Sequence, residues 1–347
     1  MVRFAFCLAL LAAPALANDG YGGFSATGLQ FGQTDAVAME SEDLYISPTK
    51  VRVAYEFRNL TDKDVTGEVI FPMPPVSLWG TLESMWNLPE DLSELDVLNF
   101  KAMVDGVEVP VSIDRIAVIE PPWEENRPAS FQYDSPGRDV TADLERFGIP
   151  LSLNAVEIGE LLVSFDQATK DELVRLDLAE FYPAGDGMPE TGIPHWSIIT
   201  RYHWTQSFPA GAIVKISHEY DNRPAGGLFG WEEPVPDYME PMRDLYCVDE
   251  GTSLALVKLL AQTFEDGETY SMGESMNISY VLRTANSWAG PIKRFKLTVD
   301  KADPGNIVSL CADGIKKTGP TTFVMEKTNY APERDLDILV VKKIAYE

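Results

Sequence analysis

The sequence predicts a mainly β protein of the α+β class, built as one or two antiparallel β-sandwiches. Short segments throughout the chain alternate apolar and polar residues, which is the pattern of half-buried strands. Turns rich in glycine and proline separate these segments. Helical spacing is confined to a small middle insertion and to one later segment near residues 252–264. We therefore divide the 347-residue chain into a leader, a β-rich part, a helical insertion with linkers and a second β-rich part, at 1–17, 18–120, 121–190 and 191–347.

The leader, MVRFAFCLALLAAPALA, has the three parts of a secretory signal peptide. Arg3 gives it a basic start, an apolar run of about ten residues follows, and Ala15-Leu16-Ala17 supplies the small residues of a cleavage site. We expect cleavage after Ala17 and a periplasmic, secreted mature protein. No other stretch approaches the roughly 20 apolar residues of a membrane-spanning helix, so we expect no membrane span.

The mature chain is strongly acidic. Removal of residues 1–17 takes away Arg3, so 27 of the 28 basic residues remain beside 54 acidic ones, a formal charge of 27 minus 54, or −27. Such a surface repels phosphate groups, which argues against nucleic acid as a partner and disfavours anionic membrane surfaces. It would attract cations or basic partners, or it would only keep a secreted protein soluble.

Two cysteines remain after cleavage, Cys247 and Cys311. Disulfides form and persist in the oxidising compartments outside the cytosol. A bond between these two residues would close a loop of 64 residues, worth roughly 4 kcal/mol of stability in the chain-entropy model. No CxxC spacing supports a reactive thiol or a metal ligand instead. We therefore expect a structural disulfide, Cys247–Cys311.

The first β-rich part contains the clearest strand signals. In KVRVAYEFRN, the apolar side chains Val51, Val53, Tyr55 and Phe57 alternate with polar ones, which predicts a half-buried strand. In VTGEVIFPMPP, the prolines should end a second strand. Asp105-Gly106 lies between two apolar-rich runs and suits the positive backbone angles of a type I′ hairpin turn.

The remaining segments predict short helices and further strands. VTADLERFG and ATKDELVRLDLAEF have helical spacing in the middle insertion. GTSLALVKLLAQTFEDG predicts a later helix whose apolar stripe, facing the core, consists of Leu256, Leu259, Leu260 and Phe264. Four more strands are expected at MNISYVL, FKLTV, TTFVM and LDILVV.

All three histidines lie in HWSIITRYHWTQSFPAGAIVKISHEY, residues 195–220. If residues 196–208 form a strand, its even positions form the buried face, which carries Trp196, Ile198, Thr200, Tyr202, Trp204, Gln206 and Phe208. The three residues Pro209-Ala210-Gly211 suit a type I turn with a left-handed glycine, which predicts a hairpin that pairs Phe208 with Ala212.

This register would separate the histidines. His218 would be buried near Tyr202, whereas His195 and His203 would lie on the opposite face, His203 near Ser217. Zinc or copper needs its imidazoles within about 2.0–2.1 Å of one point. We therefore predict a half-buried core histidine at 218 and assign no metal or cofactor to the cluster.

The motifs of common enzymes are missing from the sequence. HExxH, GxSxG, a Walker loop and GxGxxG do not occur. This favours a non-catalytic binding or assembly module, with an unknown periplasmic protein or small ligand as its partner. No catalytic, cofactor-binding or metal residue is assigned.

Two alternatives stay open. A hydrolase or carbohydrate-active enzyme could assemble carboxylates from distant loops, because such sites are geometric, and nearby acids such as Asp91 and Glu94 or Glu124 and Glu125 are abundant. A divalent-cation binding protein could use the loop WEEPVPDYMEP, whose oxygen ligands would come from Glu232, Glu233, Asp237 and Glu240.

Long blocks of the chain resemble a proteobacterial family of secreted proteins catalogued as domain of unknown function forty-four twenty-four. The blocks are NDGYGGFSATGLQFGQTDAVAMESEDLYISPTKVRVAYEFRNLTDKDVTGEVIFPMP, YHWTQSFPAGAIVKISHEY and SLCADGIKKTGPTTFVMEKTNYAPERDLDILVV. The resemblance implies no activity, ligand or catalytic residue. The shorter blocks VRVAYEFRN, EVIFPMP and FKAMVDGVEVP are also similar to the vault and inter-alpha-trypsin-inhibitor type of β-sandwich, which implies an interaction module.

Overall fold

The computed structural model describes residues 20–25, 28–31, 33–83, 87–92, 94–122, 136–185, 187–263 and 269–344. The signal peptide predicted for residues 1–17, the Glu124–Glu125 pair and Phe264 lie outside these ranges.

The described residues form twenty-three strands and six α-helices. The strands are β1 Gly20–Ser25, β2 Gly28–Phe31, β3 Val37–Ile46, β4 Lys50–Asn59, β5 Val65–Pro72, β6 Val76–Ser77, β7 Lys101–Val104, β8 Val107–Val109, β9 Ser112–Ile119, β10 Arg138–Asp139, β11 Ala179–Tyr182, β12 Thr191–Pro194, β13 Ser197–Phe208, β14 Ile213–Asp221, β15 Ala225–Phe229, β16 Ala261–Thr263, β17 Thr269–Ser271, β18 Gly273–Tyr280, β19 Ile292–Asp300, β20 Ile307–Leu310, β21 Lys316–Lys317, β22 Thr322–Tyr330 and β23 Leu336–Lys343. The helices are α1 Leu78–Glu83, α2 Thr141–Arg146, α3 Ala155–Ser164, α4 Gln167–Arg175, α5 Glu240–Leu245 and α6 Glu250–Leu260. Short 3-10 helices span Asp237–Met239 and Arg283–Ser287.

Two large sheets pack face to face and enclose the main core. One has eight strands in the order β21-β22-β19-β3-β4-β14-β7-β8, and the other has seven, β10-β9-β13-β5-β1-β2 with β6 on β13. Rings meet between the sheets: the centroids of Phe57 and Phe208 are 5.9 Å apart, and those of Phe71 and Tyr220 are 4.9 Å apart. The prediction of a mainly β, sandwich-like protein is confirmed.

Local sequence patterns predicted several strands correctly. The four apolar side chains of KVRVAYEFRN are buried in β4, and each such burial is worth about 1.5–3 kcal/mol. Asp105 and Gly106 have φ values of 49° and 82° and join β7 to β8 as the predicted hairpin. The pairing of β3 with β19 is parallel, which differs from the antiparallel expectation.

A third sheet, ordered β15-β18-β23-β20, joins the sandwich to a smaller apolar cluster. Successive residues of β23 point to opposite faces, so Val340 packs in the main core whereas Leu339 packs with Trp231 and Leu256 on the other face. The disulfide Cys247–Cys311 is present as predicted, with Cα atoms 5.1 Å apart. It ties the residues after α5 to the end of β20.

The middle insertion is partly helical, as the sequence indicated. Helix α2 lies within the first predicted segment, and α4 covers the first part of the second, whose last residues belong instead to strand β11. The sequence did not predict α3 or the β11–β12 hairpin. Asn154 and Asp166 accept backbone hydrogen bonds from Glu157 and Thr169 and so cap α3 and α4. In the ranges given above, no helix has the length and apolar character needed to cross a membrane.

The later helix is shorter than the sequence suggested. It spans Glu250–Leu260, beginning after the N-cap Asp249, whose side chain accepts a hydrogen bond from the backbone of Thr252. The chain then becomes extended because Ala261–Thr263 pairs with Thr269–Ser271. Leu256 and Leu260 are buried, as predicted for the apolar stripe.

The predicted hairpin between residues 196–208 and 212–220 is wrong. The turn itself forms, since the backbone N–H of Ala212 donates to Pro209 and Gly211 has φ 64°. However, β13 pairs with β5 and β9 in one sheet, and β14 pairs with β4 and β7 in the other. The turn therefore carries the chain from one sheet to the other. The connection between β4 and β5 lies beside it and also passes between the two sheets.

Candidate functional site

Strand β13 has a buried aromatic face and a polar face. The even positions are buried as predicted, with Tyr202 and Phe208 fully inaccessible. Burial raises the pKa of the Tyr202 phenol above its ordinary value, and the charge of Asp96, which accepts its hydrogen bond at 3.2 Å, raises it further. The odd positions, including His203 and Thr205, lie on the outer face of the seven-stranded sheet.

The centre of the outer face is the carboxylate of Glu68 on β5. Glu68 lies opposite Thr205 in the strand register and is only 4% exposed. The Nδ1 atom of His203 lies 3.1 Å from its Oε2 atom. The hydroxyl of Thr205 donates a hydrogen bond to the other oxygen, Oε1. One carboxylate is therefore held by two side chains of the neighbouring strand.

The order of these three groups bears on their chemistry. In a nucleophilic relay the imidazole stands between the hydroxyl and the carboxylate, so that it can accept the hydroxyl proton. Here Glu68 stands in the middle, between Thr205 and His203. The arrangement fixes the carboxylate and satisfies its buried oxygens, which is a structural role.

Other polar groups continue this row along β13. Arg201 donates two hydrogen bonds to Asp114 on β9, at 2.6 and 2.9 Å. Ser197 donates to Glu120, which follows β9. The outer face therefore carries cross-strand pairs in which each acid has a donor on β13.

The three histidines have separate surroundings. His218 is 2% exposed, and its ring centroid lies 5.1 Å from Phe100 and 5.3 Å from Phe71. The prediction of a core histidine is confirmed, although His218 is fully buried rather than half-buried. Tyr202 stacks on the same Phe100 ring at 4.7 Å, so the two side chains share a neighbour across the sandwich rather than within a hairpin.

The expected neighbour of His203 is wrong. Ser217 pairs with Ala54 and Met103 in the other sheet, because β13 and β14 are separated. His195 precedes β13, and its Nδ1 atom lies 3.1 Å from Asp177. Within the described part of the chain, no three or more His, Cys, Asp or Glu side chains are placed to hold a metal ion.

In the acidic loop after β15, WEEPVPDYMEP, two of the four acids considered as cation ligands bond to other residues of the protein. Glu233 accepts a hydrogen bond from Ser253, whose oxygen also accepts one from the indole of Trp231 at 2.8 Å. Glu240 lies 3.3 Å from Arg243 in the same helix. The other two acids, Glu232 and Asp237, are exposed.

The strand that precedes this loop is an edge strand with an unusual composition. Strand β15 has the sequence AGGLF and forms one edge of the third sheet. Its Leu228 side chain is 75% exposed, whereas Phe229, on the opposite face, is 5% exposed. Among the residues that the structure describes, no strand pairs with the outer edge of β15.

Three other edge strands carry charges that discourage pairing with a further strand, whereas β2 and β12 are uncharged edges like β15. Glu108 lies in β8, Arg138–Asp139 forms β10 and Lys316–Lys317 forms β21. At the far edge of the third sheet, β20 is cross-linked just beyond its last residue through Cys311. Strand β15 has neither a charge nor a cross-link.

Comparison with known families identifies the chain. The model of the family described as "Domain of unknown function (DUF4424)" matches residues 17–339. The chain belongs to the DUF4424 family. The sequence resemblance to this family is therefore confirmed, and it extends over nearly the whole DUF4424 protein.

Comparisons with individual proteins add little. No curated protein matches this DUF4424 protein. A solved structure from Legionella pneumophila subsp. pneumophila str. Philadelphia 1, described provisionally as a nutrient binding protein, has 15% sequence identity and a TM-score of 0.43. The alignment covers 93% of this chain and 72% of that one. At this similarity the match supplies no argument about function.

Two features of this site in the DUF4424 protein were not predicted from the sequence. Glu68 and His203 are 135 positions apart, so no local spacing could connect them. The sequence AGGLF does not predict a strand, because its two glycines have low β-propensity. The signal available in the sequence was the apolar Leu228, which lies between two glycines and an acidic loop rich in proline.

Proposed function

We propose that this protein is a non-catalytic binding module of the periplasm, and that its partner is another protein. The observation that carries the proposal is the uncharged outer edge of β15 with the exposed Leu228. Such an edge presents a row of backbone donors and acceptors that an extended segment of another chain can pair with.

The periplasmic location is supported by two features. The leader at residues 1–17 has the composition of a secretory signal peptide. The Cys247–Cys311 disulfide belongs to oxidising compartments, and in the mature chain it uses both remaining cysteines.

The arrangement of the titratable groups favours binding over catalysis. The Glu68 carboxylate stands between the Thr205 hydroxyl and His203, and this order does not give the imidazole access to the hydroxyl proton. In the acidic loop, Glu233 is engaged by Ser253 and Glu240 by Arg243, which leaves fewer oxygens for a divalent cation.

The test is native mass spectrometry of the protein purified from the periplasm of its own organism. We expect the mature, oxidised mass together with a stoichiometric complex that contains a second protein. The same sample, treated with a chelator, should keep its mass and its melting temperature. A chain that carries no protein partner after chemical cross-linking, and that turns over members of a hydrolase substrate panel, would contradict the proposal.

A further inference from the structure

The β15 edge has the features of a recognition site for one kind of partner segment. We infer that it binds an extended, basic segment of the partner protein, which adds to the third sheet as a new strand beside β15. This inference rests on the proposed binding function and specifies where the partner binds and what chemistry it must have.

The pattern of side chains on β15 defines one contact of such a segment. Leu228 pairs with Glu274 of β18, which forms an ion pair with Lys342 of β23 at 2.5 Å. These three side chains form a row across the sheet. Leu228 is its apolar end, and the charges of Glu274 and Lys342 neutralise each other. An added strand would place alternate side chains beside Leu228, where an apolar residue would bury its exposed surface.

The glycines make the backbone of this edge accessible. Gly226 and Gly227 have no side chains to shield the N–H and C=O groups of β15. A partner backbone could approach to the ordinary spacing of about 4.7–4.9 Å between strands. Main-chain hydrogen bonds would then supply affinity, and the side chains at either end would supply selectivity.

The charge next to β15 indicates a basic partner. Glu232 and Asp237 lie three and eight residues after the end of the strand and are exposed, and neither forms an ion pair with a described residue. Tyr238, which is 71% exposed, extends from the same loop. At the other end of the strand, Arg223 is already bonded to the carbonyl oxygen of Val97. Lysine or arginine near the end of the added segment would neutralise the two acids.

A second copy of this chain is a poorer occupant of the edge. Each mature copy would carry the formal charge of 27 minus 54, or −27, so self-association would have to overcome repulsion between two acidic proteins. A basic segment gains from the same field, which also speeds its association.

The experiment selects peptides from a phage-displayed library of random sequences of about twelve residues, long enough to cover a five-residue strand and its flanks. The bait is the full mature, oxidised protein. The enriched peptides are then synthesised and their affinities are measured by fluorescence anisotropy against three variants. Leu228→Lys places a charge on the edge, Glu232→Lys reverses the neighbouring charge, and Leu254→Lys is the control on a comparably exposed apolar side chain of α6.

We expect the enriched peptides to contain more lysine and arginine than aspartate and glutamate, interspersed with apolar residues. Leu228→Lys should weaken binding about tenfold or more, and Glu232→Lys should weaken it about fivefold at low salt, whereas Leu254→Lys should leave it within about twofold. All three lysines replace exposed side chains, and an unchanged circular dichroism spectrum and melting temperature would verify that the variants fold.

Three outcomes would overturn the inference. The first is a library that yields no enriched peptide, and the second is enriched peptides that bind Leu228→Lys as well as the parent protein. The third is a parent protein that sediments as a dimer and a Leu228→Lys variant that sediments as a monomer, which would make a second copy the occupant. Peptides that bind Leu228→Lys as well as the parent protein would exclude this edge as the binding site but would leave the proposed binding function standing. Substrate turnover without a partner would contradict the proposed function itself.

Discussion

The side chain of Asn59 connects the two sheets of the sandwich through Phe208. Its Nδ2 atom donates a hydrogen bond of 2.7 Å to the Phe208 carbonyl oxygen and another of 2.8 Å to Lys63. Its Oδ1 atom accepts from the backbone N–H of Thr61 at 2.8 Å. Asn59 is 1% exposed, and its side chain bonds to buried and partly buried backbone groups where the β4–β5 and β13–β14 connections meet.

Asn59→Ala should lower the free energy of unfolding by about 1–3 kcal/mol, because the buried Phe208 carbonyl oxygen loses this donor, whereas the partly buried Lys63 carbonyl oxygen keeps the hydrogen bond from the Thr61 hydroxyl. Urea denaturation measures the effect. Asn59→Asp keeps the acceptor but loses the donor, so it should also destabilise the protein. Thr328→Ala, at an exposed position of β22, is the control and should change stability by less than about 0.5 kcal/mol. Equal stability of Asn59→Ala and the parent protein would contradict this role.

The Glu68 pairing predicts a stability effect with measurable coupling. Glu68→Ala should cost about 2–3 kcal/mol, since His203 and Thr205 lose a buried acceptor, and Thr205→Val should cost about 1 kcal/mol. In the double variant the two effects should fall short of their sum by about 1 kcal/mol, as expected for groups in contact. Strict additivity in chemical denaturation would show that the hydrogen bond does not stabilise the fold.

Glu40 should contribute a pH-dependent part of the stability. The hydrogen bond from Lys293 at 2.6 Å is the largest cause that lowers the pKa of Glu40, and Arg58 at 3.1 Å also lowers it. Because the folded pKa lies below the unfolded value, the ionised form stabilises the folded state above the unfolded pKa. This contribution is lost as the pH falls through the folded pKa.

Glu40→Gln should therefore reduce the free energy of unfolding by about 1–2 kcal/mol at neutral pH. The difference from the parent protein should shrink as the pH is lowered below the ordinary glutamate value of 4.5. Melting temperatures recorded between neutral and acidic pH provide the measurement. Glu108→Gln, at an exposed position of β8, is the matched control and should show no such trend. A Glu40→Gln deficit that stays constant over the whole pH range would refute the assignment.

Removal of the disulfide should destabilise the third sheet and its helices. Cys247→Ser combined with Cys311→Ser should lower the free energy of unfolding by about 4 kcal/mol. The bond closes a loop that spans 64 positions and so restricts the unfolded chain, and this restriction is lost in the double variant. Guanidinium denaturation under non-reducing conditions measures this cost, and reductant should bring the parent protein to the same midpoint. Two thiols that react with a thiol reagent in the native, mature protein would exclude the bond.

The sequence predicted the elements that depend on neighbouring residues. The alternation from Val51 to Phe57 and the Asp105-Gly106 turn are local patterns, and the strand and the hairpin both form. The turn at Pro209-Ala210-Gly211 also forms, but a turn of this kind fits a crossing between sheets as well as a hairpin. Asn59, about 150 positions away, bonds to Phe208 and helps to decide between them.

The candidate site depended even more on distant residues. Pairing between Glu68 and His203 follows from the register of β5 and β13, which no local pattern encodes. The open edge at Leu228 is recognisable only when β15 is known to be the last strand of its sheet. The disulfide was predictable because only two cysteines lie outside the predicted leader.

Hydrogen exchange at the backbone amides of Ala225–Phe229 tests the central claim most directly. The rates are compared by mass spectrometry with and without a selected basic peptide at saturating concentration. If the peptide adds as a strand, exchange in β15 should slow by about tenfold or more, because amides facing the outer edge acquire hydrogen-bond acceptors. Unchanged exchange in β15, with protection only elsewhere in the protein, would contradict the assignment of this edge as the binding site.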